Sequence, residues 1–188
     1  MKFAVGLSGA SGSIYFVKLI EFFSRRGDDL YIVSTRQGSE IFKFETGQNL
    51  EDFLKRFEKI SFFAGDDFSS PLASGTGVRD LSAFIIIPCS MKTVSNISHG
   101  SSSNLLERCA DVFIKEKKKL LLVPRETPLS LIHLNNLLNL ARLGATVLPA
   151  MPGFYHKPGS LDELIDHITG KVADNLGLEH TFFVSWGK

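Results

Sequence analysis

The segment KLLLVPRETP at 119–128 restricts the fold more than any other stretch. Leu120, Leu121, Leu122 and Val123 follow one another with no polar residue between them. A strand built from them must bury both faces, as in a parallel sheet covered by helices on each side. Pro124 and Pro128 then fence Arg125 and Glu126 just beyond the strand and restrict the backbone there. In open α/β sheets that carboxyl edge is where ligands bind. A cation and a carboxylate on a stiffened turn suit anion binding beside proton transfer. The plainer alternative is a solvated surface ion pair.

The rest of the chain alternates in the same sense. Strands are predicted at Lys2–Leu7, Leu30–Ser34, Phe84–Pro88, Leu120–Val123 and Ala145–Leu148, with another at Lys59–Phe63. Helices are expected at about Ser13–Arg26, Gly38–Gly47, Met91–His99, Asn104–Lys118, Leu129–Leu143 and Leu161–Asn175, with a short amphipathic piece at Leu50–Phe57. Strands alternating with longer helices mean a parallel sheet with right-handed crossovers. No repeat, low-complexity tract or linker interrupts the order. The fold class is α/β, and residues 1–188 read as one domain.

Composition excludes several functions. A net charge of +1 gives no overall pull toward nucleic acid or an acidic membrane. The KEKKK run at 115–119 is the one dense basic cluster, and a solvated helix C-terminus accounts for it. No apolar run approaches the ~20 residues that span a bilayer. Lys2 leads straight into FAVGL, without a signal-peptide pattern. Cys89 and Cys109 offer neither metal spacing nor a disulfide framework, so a reducing cytoplasm is the expected compartment. Sixteen phenylalanines stand against one tryptophan, a high count; many are expected in the core, and any surplus would also suit a subunit interface.

Four segments carry candidate chemistry. GLSGASG at 6–12 closes the first strand and opens the first helix, where glycines let a phosphate approach unpaired N–H groups. Its spacing is not G-x-G-x-x-G, and Ser34-Thr35-Arg36 supplies no acid for a ribose, so a mononucleotide fits better than NAD. A tight turn is the alternative. Pro88-Cys89-Ser90-Met91-Lys92-Thr93 places two hydroxyls at the same edge, as ligands, helix caps or both. Cys89 reads as packing. In NLLERCADVFIK, Arg108 and Lys115 share a helix face opposite Leu105, Cys109, Val112 and Phe113. Only convergence with Arg125 makes these cations phosphate ligands; otherwise they are solvated. PAMPGFYHKP at 149–158 is a rigid aromatic turn, suited to a lid, a subunit contact or simple structure. His133 reads as a core or capping residue.

Together these segments resemble the flavin prenyltransferase family, the UbiX-type flavoproteins formerly called aromatic-acid decarboxylases. The residues that carry the resemblance are SGASG (8–12), ASG (73–75), PCSMKT (88–93), NLLERCADV (104–112), PRETPLSLIHLNN (124–136), PAMPGFY (149–155) and the LG pair at 176–177. They span nearly the whole chain in order.

The resemblance implies a Rossmann-like, flavodoxin-type three-layer fold that binds FMN. It further implies a homododecamer of trimers with sites at subunit interfaces. The implied reaction joins a dimethylallyl group, from dimethylallyl monophosphate, to N5 and C6 of reduced FMN as co-substrate. The product serves a partner UbiD-type decarboxylase, in pathways such as ubiquinone synthesis. Gly9, Ala10, Ser11, Gly12, Ser34, Ser90, Met91, Thr93, Arg108 and Arg125 are implied as cofactor contacts. Lys115, Arg125, Glu126, Tyr155, Lys171 and Trp186 are implied around the donor. Glu126, Ser11, Lys115 and Arg125 are the implied catalytic set, with Glu126 moving protons. The tail from about 178 to 188 is expected to pack on the site or a neighbouring subunit.

One position departs from the family pattern: Lys171 stands where an arginine is usual, keeping the charge but losing the planar fork. A diphosphate donor is therefore an open alternative. Two rival functions remain. A flavin-dependent cysteine decarboxylase would call for an Asn-containing motif and a His base where this chain has PAMPGFY. A non-catalytic FMN-binding subunit sits poorly with an intact Glu126, Arg125, Lys115 and Tyr155.

Overall fold

A computed structural model describes residues 1–183 of the chain. Six parallel strands form one sheet: β1 (Lys2–Leu7), β2 (Asp29–Ser34), β3 (Ile60–Ala64), β4 (Ala83–Cys89), β5 (Lys119–Pro124) and β6 (Thr146–Val147). Their spatial order is β3-β2-β1-β4-β5-β6, the doubly wound Rossmann arrangement. Helices α1 (Ser13–Arg25), α2 (Arg36–Thr46), α3 (Leu50–Leu54) and α7 (Leu161–Leu176) cover one face. Helices α4 (Met91–Ser98), α5 (Leu105–Lys115) and α6 (Leu131–Arg142) cover the other.

The leucine run behaves as its sequence requires. Leu121 and Val123 enter the core with α1 and α7, while Leu120 and Leu122 enter the opposite core with α4 and α5. β4 divides the same way, with Ile85 and Ile87 on one face and Phe84 and Ile86 on the other. The phenylalanines serve mainly the first core. Phe3 stacks on Phe23 at 4.5 Å, and Phe16, Phe42 and Phe53 meet edge-on or tilted beside them. Among the described residues, Phe44 (91% exposed), Phe154 (69%) and Phe68 (48%) stand outside both cores.

Element limits differ slightly from the predicted ones. α5 stops at Lys115, not Lys118, because Lys117 takes a left-handed φ of 53° that no helix continues through. β6 keeps only two residues, although Leu148 and Ala150 still donate backbone bonds to Leu122 and Pro124. His133 forms a capping box with Ser130, a structural role.

Gly38, in the first turn of α2, lies against β1. A Cβ there would stand 2.5 Å from the Leu7 carbonyl oxygen, which cannot move without disturbing the sheet. Gly38→Ala is expected to lower stability by about 1–3 kcal/mol. Urea unfolding checks this, and an unchanged midpoint would mean that the α2 entry is more compliant than its packing implies.

Candidate functional site

The strand order reverses between β1 and β4, so a crevice opens where their following loops diverge. Three loops are stitched together there. Buried Ser8 donates its hydroxyl to the Pro88 carbonyl at 3.0 Å and accepts the Ser90 N–H at 2.8 Å. The Arg125 N–H donates to the Cys89 carbonyl, which fastens the PRET turn to the end of β4. Arg125 Nε then reaches across to the Ser11 carbonyl at 3.0 Å. Ser8 was not among the predicted site residues.

At the glycine loop, Gly12 is the N-cap of α1, with φ 113° and no side chain to cap with. The first turn of α1 also lacks an acid. Its exposed donors are met by Glu45, from the last turn of α2. The Glu45 carboxylate accepts the Ser13 N–H at 2.7 Å and the Gly12 N–H at 3.1 and 3.2 Å. Partial burial alone would raise the Glu45 pKa. Bonds from the Ser11 hydroxyl and from Ser13 and Gly12 outweigh it, so the net shift is downward. A carboxylate thus stands where the sequence pointed to a phosphate, and a second anion beside it would be repelled. Gly9, Ala10, Ser11 and Gly12 frame the crevice, but their helix N-terminus is already occupied.

The N-terminus of α4 is the better anion seat. Ser90 caps it, accepting the Thr93 N–H at 3.2 Å and donating to the Thr93 hydroxyl at 3.0 Å. Helix geometry aims the amides of Met91 and Lys92 out of this end, beside the Arg125 turn. Ser34 is buried, and its hydroxyl is engaged with the Thr35 carbonyl and the Ser39 hydroxyl. It borders a cleft of about 530 Å³, whose lining includes Gln37, Phe62, Phe68 and Asn104. The capping hydroxyls of Ser90 and Thr93 with Arg125 suit a phosphate, and the cleft at Ser34, with its apolar and polar walls, suits a flat ring. A further cavity of about 800 Å³ lies apart from this crevice, between α1 and the segment after α7.

The remaining predicted residues are not gathered at this crevice by a single chain. Glu126 is exposed on its turn and accepts the Thr127 N–H at 3.1 Å. Arg108 is turned to the Ala73 carbonyl and to Asp111, so it faces the 71–73 turn. Lys115 ends α5 at the opposite, amino edge of the sheet, paired with Glu116 and grouped with Gly75, Arg79 and Lys118. With β5 six residues long, about 20 Å separate that edge from Arg125. Lys171 lies on α7 against Asp174 at 3.2 Å, its ammonium 4.9 Å from the Phe183 ring. Tyr155 meets His167 of the same helix at 3.2 Å. The expected convergence of Lys115 with Arg125 therefore does not occur within one chain, because α5 runs away from the carboxyl edge. Trp186 lies outside the described residues.

Burial raises the pKa of both cysteine thiols, leaving them as packing groups. No helix among the described residues is long and apolar enough to cross a membrane. None of their His, Cys, Asp and Glu side chains form a cluster of three able to hold a metal ion.

Known proteins share both the sequence and this architecture. The Flavoprotein family profile matches residues 1–179. The flavin prenyltransferase UbiX of Halalkalibacterium halodurans is 44% identical, over 99% of this chain and 93% of its own. That of Methanocaldococcus jannaschii is 41% identical, over 100% and 99%. The solved structure of AnUbiX (PadA1) in complex with FMN and dimethylallyl pyrophosphate superposes with a TM-score of 0.93 at 33% identity, covering 100% of this chain and 97% of that one. The dodecameric FMN-dependent UbiX-like decarboxylase of Escherichia coli O157:H7 gives 0.93 at 35% identity, covering all of both chains. The cysteine decarboxylase TvaF, at 18% identity and 0.63, shares the fold alone. The chain belongs to the UbiX flavin prenyltransferase family.

Proposed function

We propose that this protein transfers a dimethylallyl group from dimethylallyl phosphate to reduced FMN. The observation that carries the proposal is the junction of Arg125, Ser11 and Glu45 at the switch point, in a chain of this family. Reduced FMN supplies the nucleophilic N5 and C6. As N5 bonds to C1, the C1–O bond breaks and phosphate leaves with the electron pair. As C6 bonds to C3, the donor's double bond is consumed with a proton taken up at C2, while N5 and C6 each release a proton. The α4 N-terminus, with Ser90, Met91 and Thr93, holds the FMN phosphate, and Arg125 lies beside it. Ser34 and the Gly9–Gly12 loop border the nucleotide.

Fixed cations offset the charge of the departing phosphate, which is the electrostatic part of catalysis. Arg125 supplies one. Lys115, Lys171 and Tyr155 lie elsewhere on the chain, so neighbouring copies bring them to the donor. Exposed apolar side chains at the start of α6 and in the turn after β6 support such assembly: Leu131 (73%), Ile132 (70%) and Met151 (70%). A dodecamer, as in the Escherichia coli relative, is the proposed form. Two carboxylates can move protons: Glu126 on its turn, and Glu45 through the Ser11 hydroxyl. Residues 1–188 act as one domain in a reducing cytoplasm. The described part of the tail packs on its own chain, Phe182 on Phe22 of α1 and Phe183 on His167 of α7. The expected packing of the tail on the site or a neighbour falls largely on residues 184–188, outside the described residues. The product is destined for a UbiD-type decarboxylase.

The test is direct. Purified protein, reduced FMN and dimethylallyl phosphate are incubated without oxygen, with a parallel arm using the diphosphate. A flavin heavier by one prenyl unit is expected, and none with either donor would defeat the proposal. A side-chain prediction follows from Lys171. Lys171→Arg restores a two-pronged donor and should leave the KM for the monophosphate unchanged or lower it by up to about tenfold. A large rise in steady-state KM would mean that Lys171 does not face the phosphate.

A further inference from the structure

The turn after β6 and the middle of α7 meet at a cluster of rings whose hydrogen atoms can be placed from the bonds alone. His167 is buried on α7. The backbone N–H of Gly153 points at His167 Nδ1 at 3.3 Å. A backbone amide only donates, so Nδ1 must carry the lone pair, and a neutral imidazole then carries its hydrogen on Nε2. Nε2 lies 3.2 Å from the Tyr155 hydroxyl. The imidazole therefore donates to the Tyr155 oxygen, and the hydroxyl hydrogen of Tyr155 turns away from the ring, making Tyr155 a donor. The imidazole plane is held by His156, stacked at 5.1 Å and 5°, and by Phe183 at 4.9 Å. Lys171 stands one turn further along the same helix face.

We infer that His167 is a positioning residue, which orients Tyr155 to donate its hydroxyl hydrogen to the phosphate of the allylic donor. The inference rests on the proposed role of Tyr155 and Lys171 at that phosphate. It predicts a pH dependence. The groups facing the imidazole are Tyr155 and His156 from the turn, with Lys171 and Asp174 from α7; Asp174 is also paired with His180. Burial, then His156 and Lys171, lower the His167 pKa, and Asp174 opposes them without prevailing. The neutral, ordered form thus persists at neutral pH. Protonation on Nδ1 sets two hydrogens against each other at Gly153, so the bond holding the turn is lost as pH falls below the ordinary histidine range.

The experiment is a double-mutant cycle on the full protein, with bound FMN as the check on folding. The KM for dimethylallyl phosphate is measured from pH 5 to 8 for wild type, His167→Gln, Tyr155→Phe and the double variant. Tyr155→Phe and His167→Gln are each expected to raise KM about tenfold with little change in kcat. The double variant should be no worse than Tyr155→Phe. The acid-side rise in KM should shrink in Tyr155→Phe to whatever the donor's own ionisation imposes. Additive effects, or an unaltered pH profile in Tyr155→Phe, would overturn the role of His167. A Tyr155→Phe enzyme with wild-type KM would instead defeat the donor-site reading itself. If His167→Gln fails to hold FMN, the comparison of wild type with Tyr155→Phe still decides the matter.

Discussion

Glu126→Gln is expected to leave FMN bound and to slow formation of prenylated flavin by about 10²–10⁴-fold, the usual contribution of a positioned acid or base. The substitution is close to isosteric, and glutamine can still accept the Thr127 N–H that Glu126 accepts now. Glu126 is exposed and lies in neither core, so the fold has little to lose. What disappears is a group able to gain and release a proton beside Arg125. Flavin absorbance after gel filtration measures retention, and single-turnover analysis of the flavin product under anaerobic conditions measures rate. Turnover within a few-fold of wild type would remove Glu126 from proton transfer and leave Glu45 as the acid-base candidate.

The sheet was legible because its signal is local. Leu120–Val123 and Ile85–Ile87 are apolar on both faces, and in the structure both faces are buried. The helices were legible from their periodic apolar stripes, with Ser90 weighed as a cap. Asn104, Ser130 and Ser160 cap three more in the structure without having been read as caps. Strand order is different. β3 could in principle join either edge of β2 or lie elsewhere, and the choice is made by pairing between distant residues such as Leu30 and Ile60. No periodicity encodes that.

The site divides along the same line. Ser90, Thr93 and Arg125 follow strand ends directly, so a strand prediction carries them to the crevice. Arg108 and Lys115 were placed by shared helix face, which is correct locally but says nothing about which edge of the sheet the face reaches. α5 begins near the carboxyl edge and ends near the amino edge, so Lys115 is carried away from Arg125. Glu45 was missed because it stands 33 residues from Gly12 and looks like any acid near a helix end. One signal did exist. SGASGSIY opens a helix with neither a capping side chain nor an early acid, so its N-terminus had to draw an anion from elsewhere. A ligand was one source, and a distant carboxylate was the other.

That contact yields the second large effect. Glu45→Gln is expected to reduce prenyl transfer by about 10²-fold while sparing FMN affinity, because the Ser11 hydroxyl loses its only negatively charged partner in the crevice among the described residues. A modest stability loss of about 0.5–1 kcal/mol should accompany it, small because the residue is exposed and its field is screened. The two effects separate by pH. The Glu45 pKa is lower in the folded protein than in the unfolded chain, so its stabilisation is complete above the unfolded value and vanishes as pH falls through the folded one. Wild type and Glu45→Gln should therefore differ in urea midpoint at pH 7 and converge once the pH has fallen below the ordinary glutamate range and through the lowered folded-state value, whereas the turnover deficit is read at neutral pH. A variant with wild-type turnover and the same neutral stability deficit would make Glu45 a helix cap and nothing more. A variant with full stability and lost turnover would mean that Ser11 and Glu45 act together on a proton released during prenyl transfer.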